Sequence, residues 1–146
     1  MTYNPMQSVT EFHDKFHRDG KGRHERPISV STISRRRKLI DEEFDEVMEA
    51  LDYLTSVTGF TLAEGVDPNR IPNGWANLAK ELADLLYVVY GTAEELGIPL
   101  EEVFKAVHAH NLTKIWPDGE VHYNDFGKII KPPDFKPLDL SDVLGY

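Results

Sequence analysis

Asp41-Glu42-Glu43-Phe44-Asp45-Glu46-Val47-Met48-Glu49-Ala50-Leu51-Asp52 is the stretch on which the fold turns. Its apolar residues Phe44, Val47 and Leu51, with Ile40 before them and Leu54 after, recur at the three-and-four spacing of one buried stripe on an α-helix. The rest is almost wholly carboxylate, with no Lys or Arg between Asp41 and Asp52. Like charges at i,i+3 and i,i+4 each cost a helix about 0.2–0.5 kcal/mol, so the cluster needs compensation from outside its own helix.

Read outward, the pattern predicts a helix from about Ser34 to Val57, preceded by a polar loop from Lys21 to Ser31 that contains Pro27. Gly59 to Pro72, with Gly65, Pro68, Asn69 and Pro72, reads as a long connection rich in turn formers. A second long helix follows from about Asn73 to Leu96, its stripe formed by Leu78, Leu82, Leu85, Val89 and Leu96 and its end marked by Gly97. Upstream, Ser8 and Glu11 have the spacing of a capping box and open a short helix that ends before Asp19. Downstream, Pro99, Glu101 and Glu102 suit the first turn of a fourth helix that ends near Leu112, with Leu100, Val103, Phe104 and Val107 on its apolar face. From Trp116 the prolines at 117, 132, 133 and 137 leave an extended tail, with one short hairpin around Val121 to Tyr123. The expectation is an all-α protein: a single four-helix bundle-like domain with its core at about residues 8–115 and a tail over 116–146.

Helical geometry places the acids. At about 100° per residue, with the stripe through Ile40 and Val47 at zero, Glu43 falls near about −60° and Glu46 near about −120°. The same construction on the next helix, with Leu78 and Leu85 at zero, puts Glu81 near about −60° and Asp84 near about −120°. Two helices thus offer matching acidic pairs at the edge of a core. Burying unpaired charge is costly, so four such carboxylates call for a cation, and oxygen-only ligation selects a hard ion, magnesium or manganese. Taken singly, each acid is more often just part of a solvated face. The pairing on two helices is what favours the metal. A di-iron bundle would need Glu-x-x-His pairs, which the sequence lacks.

Composition narrows the partners. The formal charge of −9 argues against a nucleic-acid polymer, whose backbone is held by Lys and Arg. No run nears the roughly 18 apolar residues of a membrane span. The absence of cysteine and of a basic-then-apolar amino terminus fits a cytoplasmic location.

Written out, Glu42-Glu43-Phe44-Asp45-Glu46 and Glu81-Leu82-Ala83-Asp84 form E-E-x-x-E followed by E-x-x-D. This resembles the signature of the all-α nucleoside triphosphate pyrophosphohydrolases, the MazG-like group that includes phosphoribosyl-ATP pyrophosphohydrolase and dimeric dUTPases. The resemblance spans roughly Arg36 to Lys131, and Asn111-Leu112-Thr113-Lys114, Gly127-Lys128 and Lys131-Pro132-Pro133 look like the group's later basic elements. It implies magnesium-dependent cleavage of a nucleoside triphosphate to monophosphate and pyrophosphate. Glu43, Glu46, Glu81 and Asp84 would be the metal ligands, and Glu42 and Glu46 the groups that act on the attacking water. Asn111, Lys114, Lys128, Lys131 and Arg36 would be substrate contacts, and a homodimer or homotetramer is implied as well.

Plainer roles stand beside these. Asn111 continues an apolar stripe, which suits a buried polar group or a helix cap equally. Lys114 is nearly as well read as a solvated lysine, and most of Arg35, Arg36, Arg37 and Lys38 are expected in i,i+4 pairs with residues such as Asp41 and Glu42. Trp75, Tyr87, Tyr90 and Trp116 could stack on a base, although packing suits the tyrosines better, and Leu86, Tyr87 and Tyr90 together leave a second apolar face that a subunit contact would cover. Two alternatives remain: a narrow enzyme for dUTP, dGTP or phosphoribosyl-ATP, and a non-catalytic helical binding module.

Overall fold

The structure, a computed structural model, describes the backbone of residues 4–16, 28–61 and 70–145, and their side chains apart from 58–61, 70 and 71. It is all-α, with α1 (Pro5–Phe16), α2 (Val30–Thr61), α3 (Arg70–Leu96), α4 (Leu100–Leu112) and a single turn, α5 (Ser141–Leu144). Among the described residues there is no strand, and none of the helices is long and apolar enough to cross a membrane.

The helix ends follow local chemistry. Asn4, not Ser8, caps α1: its side-chain oxygen accepts from the backbone N–H of Met6 at 2.9 Å and of Gln7 at 3.3 Å, and Pro5 takes the first helical position. Ser8 lies inside the helix and donates its hydroxyl to the Asn4 carbonyl. Ser29 caps α2 through the N–H of Thr32 at 3.1 Å, which extends that helix four residues ahead of its expected start at Ser34. At its other end α2 absorbs Gly59 to Thr61, and α3 begins at Arg70 rather than Asn73, so the expected connection shrinks to residues 62–69, outside the described residues. Most of the Lys21–Ser31 loop also lies outside them. Gly97 ends α3 with φ +68°, a conformation that only a residue without Cβ adopts freely.

The chain divides into two compact units, Met1–Gly97 and Ile98–Tyr146. In the first, α2 and α3 form an antiparallel hairpin and α1 lies on α3. The direction follows from three contacts: a Cβ on Gly74 would stand 2.7 Å from Leu54, one on Gly91 would stand 2.5 Å from the Arg36 guanidinium, and the carboxylates of Glu43, Glu46 and Glu81 meet between those levels. The two glycines mark where a partner side chain presses on the α3 backbone. The core is Val47, Ala50, Leu54, Val57 and Leu78, with Leu85 packed against it.

This core corrects the expected stripe. Phe44 and Leu51 are 51% and 40% exposed, whereas Arg36, Glu43, Val47, Ala50, Leu54 and Val57 point toward α3. The buried face is rotated by about a sixth of a turn from the hydrophobic one, which brings Glu43 from its flank onto its centre line. On α3, Leu82 is likewise 45% exposed, and Gly74, Leu78 and Glu81 occupy the buried positions. The second apolar face of α3 is partly covered within the chain: the Phe12 ring meets the Tyr87 ring edge-on at 5.5 Å, and Val9 is buried.

In the second unit, α4 has no fully buried residue, and Phe104, expected on its core face, is exposed. The residues after α4 carry more order than an extended tail. Tyr123 and Ile129 make an antiparallel bridge around a turn closed by Gly127, and Trp116 donates its indole N–H to the Ile130 carbonyl. The turn α5 is an element beyond those expected; Asp139 accepts both the N–H and the hydroxyl of Ser141, and Gly145 stops it in the left-handed region.

The rotated core gives a direct test. Leu54→Ala should cost about 2–5 kcal/mol, as buried Leu→Ala changes do, whereas Leu51→Ala should cost less than about 1.5 kcal/mol. Urea unfolding of the two variants separates them, and equal losses would restore the stripe read from hydrophobicity.

Candidate active site

Midway along the hairpin, α2 contributes Glu43 and Glu46, one turn apart, and α3 contributes Glu81 from the opposite side. One carboxylate oxygen from each lies within 4.8 Å of the others. Glu81 is buried, Glu43 half-buried and Glu46 exposed, so the cluster reaches from the helix interface to its rim. Glu81 occupies a core position, which keeps it from turning away to solvent.

The electrostatics record this crowding. The carboxyl of Glu46 is pushed above its ordinary value, first by the Glu81 carboxylate, with which its protonated form shares a hydrogen bond, and then by Glu43. Lys80 lies on the other side of Glu81, its ammonium 2.8 Å from Glu81 Oε2 and 2.9 Å from Asp84 Oδ2. These two carboxylates hold Lys80 protonated well above its ordinary range. Asp84 therefore stands beside the three converging glutamates rather than among them, tied to Lys80.

Other residues expected at the site have varied places. Glu42 is exposed and paired with Lys38 at 3.3 Å. Arg36 is buried two turns before Glu43, its Nε 3.1 Å from Glu95 Oε2 and its Nη2 3.3 Å from His13 Nε2, while Arg35 also grips Glu95. Burial pushes the Arg36 guanidinium below its ordinary value, and Glu95 opposes that shift. Asn111, Lys114, Lys128 and Lys131 belong to the second unit. There Lys114 donates to Asn111 Oδ1 at 2.7 Å, the backbone N–H of Lys128 is held by Asn124, and the Lys131 ammonium sits 5.2 Å over the Phe135 ring. Asn111 is exposed rather than buried, and Thr113 stands at the C-cap of α4. Trp116 stacks on His122 and Trp75 is 61% exposed.

Sequence reading missed Lys80, although its i,i+4 relation to Asp84 was available. It also missed the His13–Arg36–Glu95 network, for which helical periodicity gives no signal because every member counts as polar.

The donor set suits a hard divalent cation: carboxylate oxygens only, from two helices, close enough for one ion to touch all three. An antiparallel helix pair that gathers such a set defines an all-α protein of the carboxylate-cluster type. The chain belongs to the phosphoribosyl-ATP pyrophosphohydrolase family, within the all-α MazG-like superfamily, and the family model matches residues 9–111. Its members hydrolyse a pyrophosphate bond. The match takes in the whole carboxylate cluster and ends at Asn111. No curated protein matches the chain.

Since native Glu46 holds its proton more firmly than the same group in the unfolded chain, its contribution to stability falls as pH rises from the ordinary 4.5 through the raised native value. Glu81→Gln should bring the Glu46 titration back toward 4.5. Carbon-detected NMR titration of the side-chain carboxyls reads this, and an unmoved Glu46 would remove Glu81 as the cause.

Proposed function

We propose that this chain hydrolyses the bond between the α- and β-phosphates of a nucleoside triphosphate group, releasing a monophosphate and pyrophosphate, with magnesium or, in its place, manganese. The convergence of Glu43, Glu46 and Glu81 carries this reading. Together with Asp84 they would hold the cation, which when bound neutralises charge between the carboxylates and the phosphate oxygens. A triphosphate bears about four negative charges, so an acidic site accepts it only with such neutralisation.

The chain's own groups do the rest. Glu42, exposed one turn before Glu46, and Glu46, exposed at the rim of the cluster, orient the attacking water and take its proton. The water oxygen bonds to the α-phosphorus as the bridging P–O bond breaks, and the pair of electrons leaves with pyrophosphate. Asn111, Lys114, Lys128 and Lys131 are assigned to the substrate. Arg36, taken up by Glu95 and His13, is assigned to holding the hairpin at the correct spacing rather than to phosphate.

The family match favours phosphoribosyl-ATP as the molecule that carries the triphosphate, against the broader reading of (d)NTPs in nucleotide-pool control. A homodimer or homotetramer would cover Phe44, Leu82 and Leu86, which stay half or nearly half exposed on the hairpin. Sedimentation velocity reads that directly, and a monomer at every concentration would remove it.

Incubation with ATP, each dNTP and phosphoribosyl-ATP in the presence of magnesium, followed by anion-exchange separation, is the test. A monophosphate with pyrophosphate is expected, chelation of the metal should stop turnover, and diphosphate with phosphate would overturn α,β-cleavage. Glu46→Gln should slow turnover by about 10²–10⁴-fold, the usual contribution of a positioned acid–base group. An unchanged rate would favour a binding module whose carboxylates are idle.

A further inference from the structure

Lys80 belongs to neither half of the acidic motif, yet its ammonium is drawn to the site. Its contact with Asp84 has the i,i+4 spacing that any helix surface offers. Its contact with Glu81 does not, since adjacent side chains leave a helix about 100° apart and do not face each other. The Glu81 side chain is 9% exposed and that of Lys80 61%, so the lysine bends around its own helix toward the interface to bring Nζ within 2.8 Å. A long side chain gives up rotamer freedom to hold such a geometry. The attraction of Glu81 and Asp84, reinforced by Glu43 and Glu46 behind them, is what compensates.

We propose that Lys80 is a built-in counter-ion of the carboxylate cluster, which a divalent cation must displace from Glu81, so that Lys80 sets the affinity of the site for metal. The proposal rests on reading Glu43, Glu46 and Glu81 as metal ligands. A dication and an ammonium at the same Glu81 carboxylate repel each other, so an ion that reaches three carboxylates at once competes with Lys80 for it. The released ammonium, on a side chain that is 61% exposed, adds positive charge for a phosphate chain. Lys80 thus neutralises the acids before metal arrives and opposes its entry.

Titration with manganese alone, by calorimetry and by electron paramagnetic resonance, on the native chain, Lys80→Met and Lys80→Arg tests this without any turnover. Lys80→Met should bind manganese roughly three- to tenfold more tightly, the gain expected from removing one or two exposed ion pairs that compete with the ion. Lys80→Arg, which keeps the charge, should stay near the native affinity. Without metal, Lys80→Met should melt at a lower temperature than the native chain, and saturating manganese should close that gap. Circular dichroism confirms that each variant is folded. Equal or weaker manganese binding by Lys80→Met overturns the role of Lys80 alone. Absence of manganese binding in all three proteins removes the metal reading and the proposal with it.

Discussion

The structure depends on one constraint: carboxylates from two helices converge at one interface, from buried Glu81 to exposed Glu46 at its rim. Glu81 is only 7% exposed and lies beside Glu43 and Glu46. Left to themselves, such groups would push α2 and α3 apart. Packing on both sides prevents it. Toward one end Leu54 presses on the α3 backbone at Gly74, and toward the other the Arg36 guanidinium presses on it at Gly91. Val47, Ala50, Leu78 and Leu85 fill the space between. Repulsion that a looser structure would relieve by moving is therefore retained, and it shows in the raised carboxyl of Glu46.

How far the sequence could disclose this depends on what each residue reports. The helices α2, α3 and α4 were legible because apolar residues sustained at three-and-four spacing over several turns form a continuous stripe only on a helix. The converging trio was legible too, because E-E-x-x-E and E-x-x-D repeat one angular offset on two helices. The orientation of α2 was not. Hydrophobicity marks Phe44 and Leu51 as inward residues, but the buried face also contains Arg36 and Glu43, which any apolar count scores as outward. Where a site is built into a helix interface its polar residues displace apolar ones from the core, and the hydrophobic stripe drifts off the true contact line. The departure from simple patterning thus falls at the site itself.

Short-range punctuation was read less well for a different reason. Ser8 and Glu11 have capping-box spacing, yet Asn4 followed by Pro5 forms the stronger start, since the proline fixes the first helical φ and lacks the N–H that would need a partner. At the other end, Asp139 accepts the Ser141 N–H just before α5 and Gly145 stops it, signals obscured by the prolines just before them. The ends of residues 116–130 are joined by the Trp116 indole bonding to the Ile130 carbonyl, a contact across fourteen positions that no local pattern reveals. The assignments of Lys128 and Lys131 came from resemblance alone, because they lie in a segment without regular structure where periodicity has nothing to add.

Two clusters of ionisable groups lie apart on the same hairpin, by about two turns from Arg36 to Glu43 on α2 and about four from Glu81 to Glu95 on α3, and charge balance separates their roles. Around Glu95, two guanidinium groups meet one carboxylate, with His13 supplying a ring nitrogen to Arg36. This cluster has cations and acceptors in contact, and adding an ion would repel the arginines. It holds the helices together. Around Glu81 the balance is reversed: Glu43, Glu46, Glu81 and Asp84 share the ammonium of Lys80, on a side chain that is mostly exposed and able to leave. An acidic excess with its close cation on a mostly exposed side chain is what a divalent cation could occupy. Burial alone would not distinguish the two clusters, since Arg36 and Glu81 are almost equally enclosed. The sign of the remaining charge does, and it is the acidic cluster that suits a cation.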